Sequence, residues 1–378
     1  MYKTSFILIF TFFQFLLFNS CTKKVKLDDN QNLVSKRDAL LWPFAATSIW
    51  NMPIGSGAVY KAANLELPAN RMLTLDEDFI VLTPDEPNMN IYFSSVRWGT
   101  GDRCMPTLPL QLQGSVPIPQ SWVVSPLTWD GTTPNAGIAV LLKDGKTIWQ
   151  SQPFAHCTAN GTATTGYVYP NSQDLFGDGY YGSHGGSRLS VLGGSIRNHE
   201  LSPTSGPIRH AIKMNLCGKK NLYYDPVNKG FRWPALCADG SASTTYGVDR
   251  TSPPVADCRM GALMAIPSTT PISSMNLETI PAKTLAQTLQ DYGGYVVDDT
   301  GWDVFAIETE WSPSGRFRDI FKQNWGYDFV VDINQASTTA WGRDIKKIYQ
   351  ALHIVINNDA SSIGGGGIPR QPLAPDFK

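Results

Sequence analysis

The sequence predicts a mainly β protein, a single domain resembling a β-sandwich or jelly roll with one or two peripheral helices. Short apolar runs bounded by Pro, Asp or Gly recur at residues 79–83, 90–96 and 121–125, and such runs are typical of strands. The chain also holds 33 Gly and 26 Pro, which favours many turns. Many short strands with few helices favour packed sheets.

Two hairpins are predicted from turns that contain glycine. Residues 138–142 and 147–151 are apolar runs on either side of Asp144-Gly145, and Asp-Gly suits a turn with positive φ. A second hairpin is predicted for residues 295–298 and 302–307, which flank another glycine turn. Further strands are predicted at residues 211–216 and 261–266.

Helix is expected in two places. Residues 280–292 begin next to Pro281 and end at Gly293-Gly294, with apolar side chains spaced three and four apart between them. This spacing gives a helix one apolar face. A shorter helix is predicted for residues 343–352. Both helices are expected to pack on the outside of the β elements.

The N-terminus predicts export. Lys3 precedes an apolar run at residues 6–18, which is shorter than the roughly 20 residues that span a bilayer but has the length of a signal-peptide core. The following Phe18-Asn19-Ser20-Cys21 resembles a bacterial lipobox. We therefore predict a signal peptide at residues 1–20 and lipid on Cys21. Ordinary signal cleavage with a soluble product is the alternative.

This interpretation sets the domain organisation. Residues 21–41 are predicted to be a lipidated flexible tether, because they are largely polar and charged. Residues 42–357 are predicted to form the β-rich catalytic domain, and residues 358–378 a flexible C-terminal tail. The protein is expected at the outer membrane or cell surface, touching the membrane only through its lipid.

Composition excludes several classes of protein. The net charge is −1 and only 17% of residues are charged. No dense Lys/Arg stripe is present, so nucleic-acid binding is not expected. Five cysteines remain after Cys21, so at most two disulfides can form. The alternative is that all five are small buried apolar side chains.

Five groups of short motifs between residues 43 and 307 resemble a family of secreted bacterial proteins defined by sequence patterns. The motifs are Pro43-Phe44-Ala45 with Trp50-Asn51, Gly193-Gly194-Ser195-Ile196 with Glu200-Leu201, Gly206-Pro207-Ile208-Arg209-His210-Ala211, Arg232-Trp233-Pro234-Ala235 with Ala238-Asp239-Gly240, and Tyr292-Gly293 with Val297-Asp298. The resemblance specifies no reaction. It implies secretion, one compact module and action on carbohydrate, and it directs attention to Trp50, Asn51, Glu200, His210 and Asp239.

The densest group of titratable residues lies between positions 184 and 210. Its members are His184, Arg188, Arg197, His199, Glu200, Arg209 and His210. Acids and bases collected beside glycine-rich turns are typical of functional sites. The long irregular stretch at residues 158–187 is also typical of a functional loop. The alternative is an ordinary salt bridge from Glu200 and a core histidine at position 210.

Two catalytic chemistries can be written from these residues. A glycoside hydrolase needs two carboxyls, for which Glu200 and Asp239 are the chosen pair, with Asp174 and Asp178 in reserve. A polysaccharide lyase needs a base and a cation over the uronate carboxylate. That set would come from His184 or His210, Tyr180, and Arg188 or Arg197. The sequence does not separate the two chemistries. The primary prediction is a surface-anchored polysaccharide-degrading enzyme of the glycoside hydrolase type, and the lyase is the alternative.

Aromatic residues predict a surface on which sugar rings stack. Trp233 is the main candidate, and Trp50, Asn51, Tyr180 and Arg188 complete the predicted substrate-binding set. The alternatives are core packing for any single tryptophan and a non-catalytic glycan-binding protein for the whole chain. The expected partner is a polysaccharide or oligosaccharide.

One spatial arrangement follows from these assignments. Glu200 and His210 are expected to face one cleft, with Asp239 and Trp233 on its wall and the 158–187 loop over its mouth. No cofactor is required. Calcium is a possible ligand, because carboxylate oxygens suit it, and it would be held by His184, His199, Asp174 and Asp178.

Overall fold

The computed structural model describes residues 36–124, 133 and 135–378. Residues 36–378 form one compact unit. The predicted signal peptide, Cys21 and most of the tether lie outside the described residues. None of the helices in the described part combines the length and apolar character needed to cross a membrane.

Sixteen strands are present in the described part of the chain. In chain order they are β1 (Tyr60–Ala62), β2 (Arg71–Val81), β3 (Asn88–Phe93), β4 (Leu112–Pro117), β5 (Ile138–Leu141), β6 (Thr147–Ser151), β7 (Phe154–His156), β8 (Ala163–Thr165), β9 (Gln173–Asp174), β10 (Ile212–Leu216), β11 (Leu263–Ala265), β12 (Gly294–Asp299), β13 (Val304–Ser312), β14 (Gly315–Arg316), β15 (Val331–Asp332) and β16 (His353–Val355).

The strands form two sheets. The larger sheet has the order β1-β16-β11-β12-β10-β13-β2-β5-β6-β9, with β14 beside β13 and β15 beside β2. Its centre is mixed, because β10 runs parallel to β12 and β2 runs parallel to both β13 and β5. The smaller sheet has the order β4-β3-β8-β7.

Six α-helices accompany these sheets in the described residues. They are α1 (Gly218–Asn221), α2 (Ala242–Thr245), α3 (Ile280–Asp291), α4 (Phe317–Trp325), α5 (Gln335–Thr338) and α6 (Ala340–Ala351). Short 3₁₀ turns occupy Ile272–Met275 and Ile363–Gly365.

Each face of the large sheet has its own apolar core. On one face, buried side chains of α3, α4 and α6 pack against alternate residues of β10 and β13, such as Met214 and Ile307. On the opposite face, residues near Trp50 and Leu189 pack against β5, β11 and β12. Side chains alternate across a strand. The residues on either side of Met214 in β10, and on either side of Ile307 in β13, therefore point towards that second face.

The prediction of a mainly β fold with few helices is confirmed. The finer arrangement as a β-sandwich or jelly roll stays a prediction. The hairpin around Asp144-Gly145 is present as β5 and β6. The second predicted hairpin is wrong, because β10 lies between β12 and β13 and pairs with both. A local turn signal does not show that a third strand enters between two neighbours in sequence.

The other predicted elements differ in their bounds. Both predicted helices are present as α3 and α6, whereas α4 was not predicted. Of the run predicted at 79–83, residues 79–81 belong to the longer strand β2, which begins at Arg71. The acidic residues at 76–78 interrupt the apolar pattern, so the sequence did not indicate the earlier part of the strand. Of the run predicted at 121–125, residue 121 lies in a turn, residues 122–124 have no regular secondary structure, and residue 125 lies outside the described residues.

The C-terminal segment differs from the predicted flexible tail. Residues 358–378 are hydrogen-bonded to the domain: Arg370 N–H donates to Ile54 O at 3.0 Å. Arg37, assigned by sequence to the tether, accepts a backbone hydrogen bond from Lys378 at 3.1 Å and covers the Phe377 ring at 3.9 Å. The two ends of the described chain therefore pack together.

One disulfide joins Cys104 to Cys157, with Cα atoms 5.7 Å apart. Among the described residues, Cys217, Cys237 and Cys258 remain free thiols. The expectation of at most two bridges is met, and the alternative that all five cysteines are unpaired is wrong.

Removing this disulfide should destabilise the domain. The bridge spans 53 positions, so in the chain-entropy model its loss costs about 4 kcal/mol. We expect Cys104→Ala to lower the urea midpoint strongly, whereas Cys237→Ala, which removes a free thiol, should change it little. Equal midpoints for wild type with and without reductant would contradict this.

Candidate active site

A cleft of about 630 Å³ lies over the middle strands of the large sheet. Its lining is unusually acidic for a largely buried surface. The acidic residues that line it are Asp76, Glu77, Asp78, Asp239, Asp298, Asp299 and Glu308, and His184 lies among them. These residues come from three strands and two loops that are distant in sequence.

Strand alternation places two of the acids. Asp76 and Asp78 are two positions apart on β2 and therefore share a face, while Leu75, which precedes them, packs on the helix-covered core. On β13, Glu308 shares that face and Ile307 lies in the same core as Leu75. The strand register sets Glu308 directly beside Asp76.

A buried ammonium group neutralises part of this charge. Lys213, on β10, is fully buried, and its Nζ lies 2.7 Å from Asp78 Oδ2. It also donates to the carbonyls of Ser190 and Val191 at 3.1 and 2.9 Å. The Ser195 hydroxyl donates to the same Asp78 oxygen at 2.8 Å. This pair links β2, β10 and the loop at residues 190–195.

One amide group joins two carboxyls. Asn215 Nδ2 donates to Glu308 Oε1 at 2.6 Å and to Asp76 Oδ2 at 3.2 Å. Glu308 also lies 3.3 Å from His184 Nε2. Asp76 and Glu308 are thus held close together, but only Glu308 contacts the imidazole.

A glycine-rich loop carries His184 into the cleft. The loop is fixed to β12 because Ser187 N–H donates to Val297 O at 3.1 Å. Gly186 has φ of +64°, and a Cβ there would lie 2.7 Å from Asp298 Oδ1. Glycine is therefore needed for both the turn and the close approach to the acid. The Arg188 N–H donates to His184 O at 3.0 Å.

A second acidic group lies beside the first. Asp298 Oδ2 is 3.8 Å from His184 Nδ1, and the nearest carboxylate oxygens of Asp239, Asp298 and Asp299 lie within 4.8 Å of one another. The Tyr246 hydroxyl donates to Asp239 Oδ2 at 2.6 Å. This second group could hold a cation, since oxygen ligands suit calcium.

The acidic residues of the cleft and His184 form its floor. Burial and neighbouring charges give Asp76, Glu308 and His184 on this floor different pKa shifts. Burial, followed by the charge of Glu308, raises the pKa of Asp76 to about 8. Burial alone would also raise the pKa of Glu308, but the charge and hydrogen bond of His184 lower it. Burial opposes protonation of His184, yet Glu308 raises its pKa overall. Asp76 therefore retains its proton where Glu308 is ionised and His184 is charged.

The remaining acids also hold protons more tightly than usual. Burial raises the pKa of Asp78 to about 6, with Lys213 opposing the rise. Burial and then the charge of Asp239 raise the pKa of Asp299 to about 7. The same two causes raise the pKa of Asp298 well above its ordinary value. Crowded carboxyls in a low-dielectric cleft cannot all ionise.

The rim of the cleft differs from its floor. Trp98 and Trp302 both line it and are 43% and 41% exposed. Four arginines also line it, namely Arg71, Arg188, Arg316 and Arg318. The cleft thus combines an acidic floor with aromatic and cationic edges.

The structure divides the sequence-predicted catalytic set between two places. Asp239 and His184 line the cleft. Glu200 and His210 do pair, with Oε2 and Nε2 3.0 Å apart, but neither lines it. Arg197 is likewise elsewhere, bound to Glu310 at 2.7 Å.

The expectation that Glu200 and His210 share a cleft with Asp239 is therefore wrong. His210 borders a hollow of about 10 Å³, which is too small for a sugar ring. Side-chain exposures of 13% for Glu200 and 10% for His210 fit a structural ion pair. Their turn at residues 202–207 brings them together locally, but the β12–β10–β13 order puts the cleft elsewhere.

The predicted binding residues are also divided. Arg188 lines the cleft. Trp50 is fully buried and donates to Gly179 O at 2.7 Å, and Asn51 Nδ2 donates to Pro43 O at 2.8 Å. Trp233 packs edge-on against Tyr180, 6.0 Å between centroids, outside the cleft lining. Apart from Arg188, these side chains support the fold.

The predicted calcium ligands do not converge. Asp174 pairs with Lys146 at 3.2 Å, and Asp178 accepts from Tyr180 N at 3.3 Å. Of that set only His184 reaches the acidic cleft. The predicted 158–187 loop is partly regular, because it contains β8 and β9.

Sequence reasoning missed most of the floor. The missed residues are Asp76, Asp78, Lys213, Asn215, Asp298, Asp299 and Glu308, with Trp98 and Trp302 at the rim. A signal was present: the acids Asp76, Glu77 and Asp78 interrupt the apolar run of β2, and Glu308 and Glu310 interrupt that of β13. Because a half-buried strand normally alternates apolar with neutral or solvated polar residues, ionisable groups there are informative.

Comparisons with known proteins identify no relative: no family model, curated protein or solved structure matches this chain. The resemblance to a secreted bacterial family stays a prediction.

Breaking the buried ion pair should destabilise the fold. Lys213→Met would leave Asp78 buried without its cation, a change that typically costs about 3–5 kcal/mol. The control is Lys61→Met, which breaks an exposed pair with Asp257 and should cost at most about 1 kcal/mol. Denaturant unfolding of both variants measures the difference, and similar losses would contradict the assigned role.

The stability of the domain should depend on the protonation of Asp76. Its pKa is about 8 in the fold and about 4 in an unfolded chain. Between these values the folded state binds the extra proton, so its contribution to the free energy of unfolding falls as pH rises. Asp76→Asn should therefore lose less stability than wild type between about pH 5 and about pH 8. Thermal unfolding at both pH values tests this, with Asp85→Asn at an exposed position as control; parallel curves would contradict it.

Proposed function

We propose that the protein hydrolyses glycosidic bonds, with Asp76 as proton donor and Glu308 as the ionised carboxylate. The observation that carries this proposal is the opposite shift of two adjacent carboxyls. The pKa of Asp76 is raised to about 8 and that of Glu308 is lowered. Glycosidases need one protonated and one ionised carboxyl across the scissile bond.

The geometry favours a two-step reaction. Asn215 holds both carboxyls on one amide nitrogen, and a short separation favours direct attack by the second carboxylate. Asp76 would give its proton to the glycosidic oxygen as the C–O bond breaks, while Glu308 bonds to the anomeric carbon. Asp76 would then take a proton from water, which displaces Glu308 and releases the sugar.

The rim supports a sugar as the substrate. Trp98 and Trp302 offer partly exposed aromatic faces at the same cleft as the two carboxyls. Flat apolar rings with a polar edge are suited to stacking on pyranose faces. A volume of about 630 Å³ falls within the range of small-molecule sites.

Two alternatives receive less support. In the lyase alternative His184 would be the base, but Glu308 raises the pKa of its imidazole and favours the protonated form, which cannot accept a proton. The other proposed lyase residues, Tyr180, His210 and Arg197, lie outside the cleft lining. A non-catalytic binding protein would not need two carboxyls with opposed proton affinities.

The location of the protein is proposed from sequence alone. A signal peptide at residues 1–20 and lipid on Cys21 would hold the domain at the outer membrane or cell surface, where polysaccharides are accessible. The arrangement as a β-sandwich also remains a proposal, supported by the two sheets. Membership of a secreted, carbohydrate-active family is proposed on the motifs of residues 43–307.

Exchange of either carboxyl should abolish catalysis. Glu308→Gln and Asp76→Asn should each reduce turnover by about a hundredfold or more, because one removes the nucleophile and the other the proton donor. Reducing ends released from a panel of neutral and acidic polysaccharides provide the assay. Glu200→Gln is the matched control and should retain turnover per folded molecule.

Three outcomes would contradict the proposal. Loss of turnover in Glu200→Gln alone would return the active site to the Glu200–His210 pair. New absorbance from unsaturated uronates would identify a lyase. Glycan binding without product from any polysaccharide would identify a binding protein.

A further inference from the structure

The arginines of the cleft are not equivalent. Arg316 Nη2 donates to Glu77 Oε2 at 2.7 Å, and Arg318 Nη2 donates to Asp328 Oδ2 at 2.8 Å. Arg71 pairs with Asp332 at 2.8 Å. These three guanidinium groups already bind carboxylates of the protein.

Arg188 differs from them. Among the described residues no ion pair joins it to a carboxylate, and its Nη1 is buried without a hydrogen-bond partner. The guanidinium covers the Tyr167 ring, 4.1 Å from its centroid, and also contacts the Cys237 thiol. Neither contact supplies a negative charge. A buried donor without a partner is costly to leave unmatched.

The position of Arg188 is fixed relative to the acid–base residues. Its backbone adopts φ of +61°, in the left-handed region that non-glycine residues rarely occupy. Its N–H donates to His184 O at 3.0 Å, and its carbonyl accepts from Gly182 N at 3.0 Å. The Tyr167 ring holds the side chain from one side. The guanidinium is therefore pre-organised at the edge of the floor.

We propose that Arg188 binds the carboxylate or sulfate of an acidic sugar unit beside the scissile bond, so that the substrate is an anionic polysaccharide. This inference rests on the proposed glycosidase function. A planar guanidinium forms paired, charge-assisted hydrogen bonds with such groups. Among the described residues, Arg188 is also the one arginine lining this cleft that forms no ion pair with a carboxylate.

The acidic floor is compatible with an anionic ligand. Burial raises the pKa of Asp76 to about 8, so this carboxyl carries little negative charge at neutral pH. Lys213 lies 2.7 Å from Asp78 and His184 lies 3.3 Å from Glu308, so these two carboxylates have cationic partners. Arg188 has no carboxylate partner among the described residues, and its positive charge is therefore available to an acidic group of the ligand.

The test compares binding with hydrolysis. Oligogalacturonate provides carboxylates, carrageenan oligosaccharide provides sulfates, and xylo-oligosaccharide is neutral. Affinity is measured by calorimetry in a Glu308→Gln background, and hydrolysis is measured in the wild-type background. Arg188→Gln and Arg188→Lys are compared with Arg318→Gln, a cleft arginine that is already paired.

We expect one acidic ligand to bind, and Arg188→Gln to weaken that binding by about tenfold or more. Arg188→Lys should recover only part of the affinity, because an ammonium lacks the planar fork. Arg318→Gln should change affinity little. Whether the carboxylate or the sulfate ligand responds identifies the acidic group.

Failure of the inference can be distinguished from failure of the proposed function. Hydrolysis of neutral xylo-oligosaccharide, with Arg188→Gln fully active, would overturn the inference and leave the hydrolase intact. Arg188-dependent binding without hydrolysis of any ligand would overturn the hydrolase and support the anion site. Equal effects of Arg188→Gln and Arg318→Gln on acidic ligands would overturn the assigned site.

Discussion

The structure depends on burying a positive charge in the middle of a sheet. Lys213 is fully buried and satisfies its ammonium with Asp78 and two carbonyls of the 190–195 loop. Two charges removed from water are tolerated only when each has its partners. The pair therefore fixes the loop on the sheet and permits Glu308, Asp76 and His184 to gather nearby. Without that ammonium, Asp78 would be buried without its cation beside the other carboxyls.

The same crowding gives the cleft its chemistry. Asp76 and Glu308 are neighbours across two parallel strands, and adjacent carboxyls in a low-dielectric site resist joint ionisation. Contact with His184 decides which one is ionised. The fold thus assigns different protonation states to two chemically similar side chains. That distinction arises from strand register and from one histidine delivered by a glycine-rich loop.

Local patterns predicted much of the secondary structure but little of the site. Asp144-Gly145 and the apolar spacing of α3 act within a few residues, so hairpin and helix could be recognised. The cleft depends on long-range register, which placed β10 between β12 and β13. Proximity in sequence therefore favoured Glu200 and His210 as the catalytic pair. These residues do form an ion pair, but they lie outside the cleft. His184 and Arg188 were found because glycine-rich loops and titratable clusters are local signals, whereas Asp239 was found through the motif that resembles a secreted bacterial family.

The contacts of Arg37 with the C-terminal residues bring the first and last parts of the described chain together. The Arg37 backbone hydrogen-bonds to Asp376 and Lys378, and its guanidinium covers Phe377. Because Arg37 and Lys378 lie side by side, a short linker could join the two ends of the compact unit at residues 36–378, and new ends could be opened in an exposed turn elsewhere. This unit is thus suited to circular permutation. A fluorescent protein fused after Lys378 would likewise sit beside Arg37.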